Sequence, residues 1–154
     1  MYGISKEEAL ALKDLKKLLG ESIPEVNKVD LYTFGMVIKD GKIVELSLFN
    51  KGLTAFPDRL INELPLILSI HNIQLKNLEN SFGNLINLNK LYLYKNQLMT
   101  LPKPILKLKN LQSLSLGGNQ LTTIPDSFGN LESLKELDLS ANKFITLPDC
   151  IGYL

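Results

Sequence analysis

Three segments of the chain share one residue pattern and begin at a constant spacing. Their first residues, Leu88, Leu111 and Leu134, lie 23 residues apart. Each segment continues with apolar residues at its fourth, sixth, eleventh and fourteenth positions, with asparagine at its ninth and with proline directly after the fourteenth. A fixed period of this kind is typical of a chain that stacks equivalent units on one another. The spacing therefore predicts a repeat solenoid.

The pattern continues upstream with two substitutions at the asparagine position. A first unit carries Lys51 there, a second carries Ile73, and the first unit is one residue short of the period. The apolar positions of these two units are Ile43, Leu46, Leu48, Leu53 and Phe56-Pro57, then Leu68, Ile70, Leu75, Leu78, Phe82 and Leu85, with Pro65 opening the second. We predict one continuous domain, with a non-repeating segment at 1–42 and five repeats at 43–64, 65–87, 88–110, 111–133 and 134–154.

The repeat pattern Leu-x-x-Leu-x-Leu-x-x-Asn-x-Leu-x-x-Leu-Pro resembles that of leucine-rich repeats. The link between two units, Pro125-Asp126-Ser127-Phe128-Gly129-Asn130-Leu131, is similar to the LPxx(I/F)GxL tail of intracellular members, the kind found in Ras-binding scaffolds and ROCO-type proteins. The resemblance implies an α/β solenoid: a short curved stack with a parallel concave sheet and an irregular or 3₁₀ convex side.

The repeated leucines and asparagines have different expected tasks. The leucines at the fourth and sixth positions of each repeat point into the core, where each contributes roughly 1.5–3 kcal/mol. The asparagine amide can satisfy backbone groups of neighbouring repeats that would otherwise be buried and unpaired. We expect Asn96, Asn119 and Asn142 to form such a ladder. Ile73 cannot join it, so local distortion is expected in the second repeat.

Residues 1–42 are predicted to cap the N-terminal end of the stack. Ser5-Lys6-Glu7-Glu8 forms a capping box and Gly20 is a stop signal, so we expect a helix of about four turns with Ala9, Leu12, Leu15 and Leu19 on one face. Residues 33–38 alternate toward a two-residue hairpin turn at Asp40-Gly41, which predicts an antiparallel strand over the open sheet edge. This order is similar to the N-terminal cap of plant receptor leucine-rich repeats, although that cap carries paired cysteines and residues 1–42 contain none.

The composition predicts a cytoplasmic protein. The chain has 154 residues, 45% of them hydrophobic, and a single cysteine. It has no apolar run long enough for a membrane span and no basic-then-apolar signal segment at its start. No asparagine begins an N-glycosylation motif. A formal net charge of +1 gives no general attraction to nucleic acid, so we expect neither a nucleic-acid nor a membrane partner.

Few residues could carry chemistry. His71, the only histidine, and Cys150 are expected on opposite sides of the solenoid, too far apart for a dyad. His71 by itself is expected to be a surface histidine or a partner contact. Glu136 and Asp138 share one strand face and are expected to be solvated charges rather than an acid–base pair. We predict no enzymatic activity, no cofactor and no metal site.

Function is instead expected on the concave sheet, where the third, fifth and seventh residues of each repeat face outward. Aromatic residues gather over the first three repeats, and aromatic side chains often anchor interfaces, although a neutral surface is the alternative. The fifth repeat is charged. The predicted partner-binding residues are Phe49, Ile67, His71, Lys90, Tyr92, Tyr94, Glu136 and Asp138.

We therefore predict a noncatalytic protein–protein interaction module with an unidentified protein partner. Two alternatives stay open: a self-assembling structural protein, and the recognition fragment of a larger enzyme such as a GTPase or a ligase. Because no polar cap follows the fifth repeat, a homodimer is expected to form through the C-terminal end. Its predicted self-association residues are Leu137, Leu139, Ile151 and Leu154.

Overall fold

The computed structural model describes residues 3–30, 32–51, 67–76, 78, 80–147 and 149–153. The predicted core positions Leu53, Phe56 and Pro57, the first repeat boundary with Pro65, and Leu154 lie outside these residues. The described part begins with one helix, α1 (Lys6–Leu19), and continues into a single sheet.

The predicted solenoid is confirmed by this sheet, whose strands follow one another in chain order. The strand bounds are β1 (Phe34–Lys39), β2 (Lys42–Leu48), β3 (Ile67–Ser69), β4 (Lys90–Tyr92), β5 (Ser113–Ser115) and β6 (Glu136–Asp138). β1 and β2 are antiparallel, and the later pairs are parallel. Partner residues advance by 22 positions from β2 to β3 and by 23 at each later step. The convex side carries 3₁₀ helices at Asn80–Asn84, Lys103–Lys107, Asp126–Asn130 and Asp149–Tyr153.

The predicted cap is also confirmed, with one change in its buried face. The Ser5 hydroxyl accepts a hydrogen bond from the Glu8 backbone N–H, the Glu8 carboxylate accepts one from the Ser5 N–H, and Gly20 ends α1 with a left-handed φ of 74°. Ala11 and Leu15 are buried, but Ala9 is exposed, so its expected place on the packed face is wrong. The buried face instead includes Glu8, which lies one helical turn before Ala11 and Leu12.

Glu8 joins the helix to the sheet. Its Oε1 accepts a hydrogen bond of 2.9 Å from the Ile43 N–H in β2, while its Oε2 serves the capping box. At the far end of the hairpin, Asp40 and Gly41 have φ values of 50° and 70°, as a tight two-residue turn between twisted strands requires. α1 and β1 thereby cover the N-terminal end of the stack.

The leucines of the repeat strands form the core as expected. The fourth and sixth positions of the first four repeats are at most 1% exposed; these are Leu46, Leu48, Leu68, Ile70, Leu91, Leu93, Leu114 and Leu116. The equivalent residues of the fifth repeat, Leu137 and Leu139, are only half-buried, because among the described residues no further repeat packs on their outer side.

The expected asparagine ladder is confirmed, and successive rungs share acceptors. The Asn96 side-chain amide donates to the carbonyls of Ile70 and Leu93, at 2.7 and 3.0 Å. Asn119 also donates to the Leu93 carbonyl, at 2.9 Å, and to that of Leu116. Asn142 repeats the arrangement on Leu116 and Leu139, and its Oδ1 accepts from the Leu121 N–H. Each rung therefore links a repeat to the one before it.

The distortion expected at Ile73 is present in the backbone. The residue before the asparagine position is left-handed in every repeat, at Asn50, Asn72, Lys95, Gly118 and Ala141. Among the described residues, the second repeat alone adds a further left-handed residue, Gln74 with a φ of 61°, directly after Ile73. Ile73 itself is buried, and its N–H donates to the Asn96 side chain. The side chain of Ile73 therefore still packs in the core, although the backbone directly after it adopts a different conformation from that of the other described repeats.

Candidate functional site

A segment without periodic structure, residues 24–33, connects the helix to the hairpin and crosses onto the concave face; Leu31 is outside the described residues. It begins beside β1, where the Met36 N–H donates to the Pro24 carbonyl and the Val26 N–H donates to the Met36 carbonyl, at 2.9 and 2.8 Å. Gly35 allows this approach, because a Cβ at that position would lie 2.8 Å from the Val26 side chain. We call residues 24–33 the crossing segment.

A local turn then directs the crossing segment over the sheet. Asp30 Oδ1 accepts hydrogen bonds from the Tyr32 N–H and the Thr33 hydroxyl, at 2.9 and 2.7 Å. The side-chain hydrogen bond from Thr33 and the backbone hydrogen bond from Tyr32 hold the pKa of Asp30 below its ordinary value. The Ser47 hydroxyl donates to the Thr33 carbonyl, and the rings of Tyr32 and Phe49 meet edge to face with centroids 5.6 Å apart.

Because of this cover, several concave positions are buried, and the expected exposure of His71 is wrong. Ser47 and Ser69 are buried, and His71 is only 2% exposed. The ring of His71 stacks on Tyr92 with centroids 6.0 Å apart and meets Tyr94 at 6.3 Å. The sequence pattern correctly placed His71 on the concave side of the sheet. It also indicated the aromatic neighbours of His71, but it contained no signal that the crossing segment would cover the first strands beside it.

The environment of His71 is unusual for a histidine. Burial lowers its pKa from an ordinary 6.5 to about 4, so the ring is neutral at pH 7. Its Nδ1 is the one buried side-chain nitrogen or oxygen without a hydrogen-bond partner in the part of the chain that the structure describes. Leaving such an atom unpaired costs about 1–3 kcal/mol.

Four aromatic side chains on the same face as His71 form what we call the aromatic surface: Tyr32, Phe49, Tyr92 and Tyr94. The last three are half-buried and come from the predicted site, whereas Tyr32 comes from the crossing segment and is 75% exposed. Sequence reasoning missed Tyr32, because nothing in a segment without periodicity reveals which face it covers. The Asp30-x-x-Thr33 spacing could have indicated the turn but not its position.

A pocket of about 380 Å³ opens between the crossing segment and the sheet beside this surface. It brings together four of the predicted site residues with side chains from the cap. The lining residues are Val29, Asp30, Glu45, Ile67, Ser69, His71, Lys90 and Tyr92. Its walls are apolar at Val29 and Ile67 and charged at Asp30, Glu45 and Lys90.

The two predicted acidic residues of the fifth repeat lie apart from this pocket, on β6. Glu136 is exposed. Burial raises the pKa of Asp138, but hydrogen bonds from Ser140 and Ser115 outweigh this, and the pKa lies below its ordinary value. A Cβ on Gly117 would lie 2.6 Å from Asp138 Oδ2, so the glycine makes room for this carboxylate. The Asp138 carboxylate is a hydrogen-bonded anion, which is a poor general acid.

The described residues offer neither a metal site nor a membrane-spanning helix. They contain no group of three or more His, Cys, Asp or Glu side chains placed to hold a metal ion. None of their helices is both long and apolar enough to cross a membrane. Cys150 lies in the 3₁₀ helix Asp149–Tyr153, far along the chain from His71.

The capped stack of parallel strands, the 3₁₀ returns and the asparagine ladder define a leucine-rich repeat fold. A family model for the leucine rich repeat matches residues 86–144. A solved leucine-rich repeat protein of Leptospira interrogans is similar, with 36% identity and a TM-score of 0.65 over 72% of this chain and 29% of that one. The chain therefore spans less than a third of that protein. No curated protein matches the sequence. Leucine-rich repeats are typically protein-interaction modules and usually noncatalytic, and no enzyme family was found.

Proposed function

We propose that this chain is a noncatalytic module that binds a protein partner on its concave face, through the aromatic surface. The observation that carries the proposal is the gathering of Tyr32, Phe49, Tyr92 and Tyr94 from two parts of the chain onto one face. Large aromatic side chains at partly exposed positions are the residues that most often supply binding energy in interfaces. The exposed ring of Tyr32 adds a contact that the repeats by themselves would lack.

A quantitative capture experiment tests this function. The partner is isolated from source lysate with the wild-type chain, and its affinity is then measured for a Tyr32→Ala/Tyr94→Ala double variant. We expect each truncation to cost more than about 1 kcal/mol of binding, with little change in thermal stability, because neither ring belongs to the leucine core. An Ile86→Ala/Met99→Ala variant is the matched control, since it removes two side chains that are 59% and 66% exposed away from this surface.

The two double variants separate the possible outcomes. Loss of binding only in the tyrosine variant supports the concave contact. Equal binding by both variants would refute it, and equal loss of stability and binding would show that the tyrosines serve the fold. For Phe49, whose ring is partly covered by Tyr32, we expect a similar loss of affinity on truncation to alanine.

We also propose which type of leucine-rich repeat the chain has and where in the cell it is located. The tail pattern at residues 125–131 supports an intracellular type of repeat, similar to those of Ras-binding scaffolds and ROCO-type proteins, and a cytoplasmic location. Fractionation of source cells would check the location, and recovery in a secreted or membrane fraction would contradict it. The alternative of a recognition fragment from a larger enzyme predicts a coding sequence that adds a GTPase or ligase domain.

Self-association is a second candidate function, supported by the apolar residues of the fifth repeat. Leu137, Leu139 and Ile151 are half-buried, and Ile145 is 96% exposed. A second copy that packs on these side chains about a two-fold axis would remove them from water. Light scattering over a dilution series of the wild type and of Leu154→Asp checks this. A constant monomeric mass in both proteins would refute it.

A further inference from the structure

The pocket between the crossing segment and the sheet has the size and the lining of a specific binding subsite. Its volume of about 380 Å³ exceeds that of one amino-acid side chain. Polar and charged groups enter it from both the crossing segment and three strands of the sheet. A site assembled from separate elements in this way can select a particular chemical group.

His71 shows that the pocket lacks one hydrogen-bonding partner. The side chain is 98% buried and lines the pocket, yet its Nδ1 has no partner. Because the ring is neutral at pH 7, one of its nitrogens can accept a hydrogen bond. In the tautomer protonated at Nε2, Nδ1 is the acceptor, and because this atom is fully buried, a ligand N–H reaches it only after the imidazole ring turns toward the pocket. Within the described residues, every other buried side-chain nitrogen or oxygen already has a partner.

The fixed charges in the pocket favour a cation. Among the lining residues, Asp30 and Glu45 contribute two carboxylates and Lys90 one ammonium group, so the net charge of the lining is negative. Lys28, whose positive charge acts on Asp30, is not part of the lining. Asp30 Oδ1 accepts from Tyr32 and Thr33, which leaves Oδ2 for a further donor. The Glu45 carboxylate makes no hydrogen bond or ion pair with the described residues. Glu45 and Lys90 lie on strands separated by β3, about 9.6 Å apart at the backbone. A cation beside Glu45 therefore does not have to contact Lys90.

We propose that this pocket receives a basic side chain of the protein partner, arginine in preference to lysine. Its cationic head lies between the carboxylates of Asp30 and Glu45, and its aliphatic stem packs on Ile67. A guanidinium group has five N–H donors in a planar fork, enough for both carboxylates and the free nitrogen of His71. The face of Tyr92 adds a cation–π contact. The inference rests on the proposed function, because it names the chemistry of the partner for the same face.

The single histidine provides a direct test. The imidazole resonances of His71 in the full chain are followed by NMR while Nα-acetyl-arginine amide is added at constant ionic strength. Nα-acetyl-citrulline amide, a neutral side chain of the same shape, is the control probe. We expect a saturable shift with arginine and binding about tenfold weaker with citrulline, because the charge is lost. Equal binding of the two probes, or no shift with either, would overturn the inference. So would tighter binding of Nα-acetyl-glutamate amide.

Matched variants localise the effect. Glu45→Gln and Asp30→Asn keep the shape of each side chain and are expected to weaken arginine binding severalfold. Glu132→Gln removes the same charge from an exposed turn outside the predicted site and should leave binding unchanged. Equal weakening by Glu132→Gln would show a general charge effect and overturn the subsite. Failure of the arginine probes while partner capture still depends on Tyr32 and Tyr94 would overturn this inference alone. Capture that is indifferent to those tyrosines would overturn the proposed function.

Discussion

The buried ring of His71 should make the fold less stable as the pH falls from about 6.5 toward 4. Burial holds the pKa of the folded imidazole at about 4, whereas the unfolded chain has the ordinary value of 6.5. Between these values the unfolded chain binds a proton that the folded chain does not, so protonation favours unfolding. The contribution of the neutral His71 ring to the free energy of unfolding is complete above pH 6.5 and is lost as the pH drops to 4.

The size of the effect follows from the pKa difference. Each pKa unit corresponds to about 1.36 kcal/mol, so the lowering to about 4 amounts to roughly 3 kcal/mol over the whole interval. Between about pH 7.5 and pH 5 the linkage relation gives a loss of about 2 kcal/mol. Ordinary carboxylates titrate mainly below pH 5, so this upper part of the interval reports chiefly on His71.

Urea unfolding at these two pH values checks the reasoning when the wild type is compared with His71→Phe. Phenylalanine keeps an aromatic ring against Tyr92 but cannot bind a proton. We expect the wild type to lose about 2 kcal/mol more than the variant over the interval. NMR titration of the single histidine gives the pKa independently. Equal losses in the two proteins, or a folded imidazole that titrates near 6.5, would refute this account of the site.

Three further experiments test the fold. Glu8→Ala should destabilise the chain by about 2–3 kcal/mol in urea unfolding, because a buried N–H loses a charged acceptor. The variant of its exposed neighbour, Glu7→Ala, should change little in the same assay. Asn119→Ala removes four side-chain hydrogen bonds and should cost about 2–4 kcal/mol by urea unfolding; a loss below about 1 kcal/mol would contradict the ladder's role. The reciprocal pair Gly118→Ala and Ala141→Gly exchanges residues at equivalent left-handed positions, so thermal melting should show about 1 kcal/mol of loss in the first and a smaller gain in the second; changes of the same sign would argue against backbone strain.

The periodic residues predicted most of the architecture. The leucine spacing gave the stack, the strand offsets and the core, and the capping box gave the helix with its start and stop. Ile73 correctly predicted a local change of backbone, because the loss of an amide at one position has a local consequence. The division into five repeats with the given bounds stays a prediction, and the boundary before residue 65 lies outside the described residues.

The candidate site was less predictable, because its geometry depends on a segment that has no repeat. Alternation along a strand tells which side a residue faces, but it does not tell what another part of the chain places above it. The path of the crossing segment depends on contacts such as the one between Ser47 and Thr33, which are distant in sequence. These contacts enclose His71 and bring Tyr32 beside Phe49. The partner roles of the predicted site residues stay predictions.

The shared acceptors of the asparagine ladder have a consequence for how the stack opens. The Ile70 carbonyl accepts from Asn96, the Leu93 carbonyl from Asn96 and Asn119, and the Leu116 carbonyl from Asn119 and Asn142, so repeats two to five are coupled as nearest neighbours along a line. No asparagine occupies the ladder position of the second repeat, which would link it to the first. Subglobal unfolding should therefore divide the molecule between the first and second repeats, with the C-terminal part as one cooperative unit and the N-terminal part held chiefly by its cap. The aromatic surface spans that division, so a partner bound there would act as a clamp between two units of unequal stability.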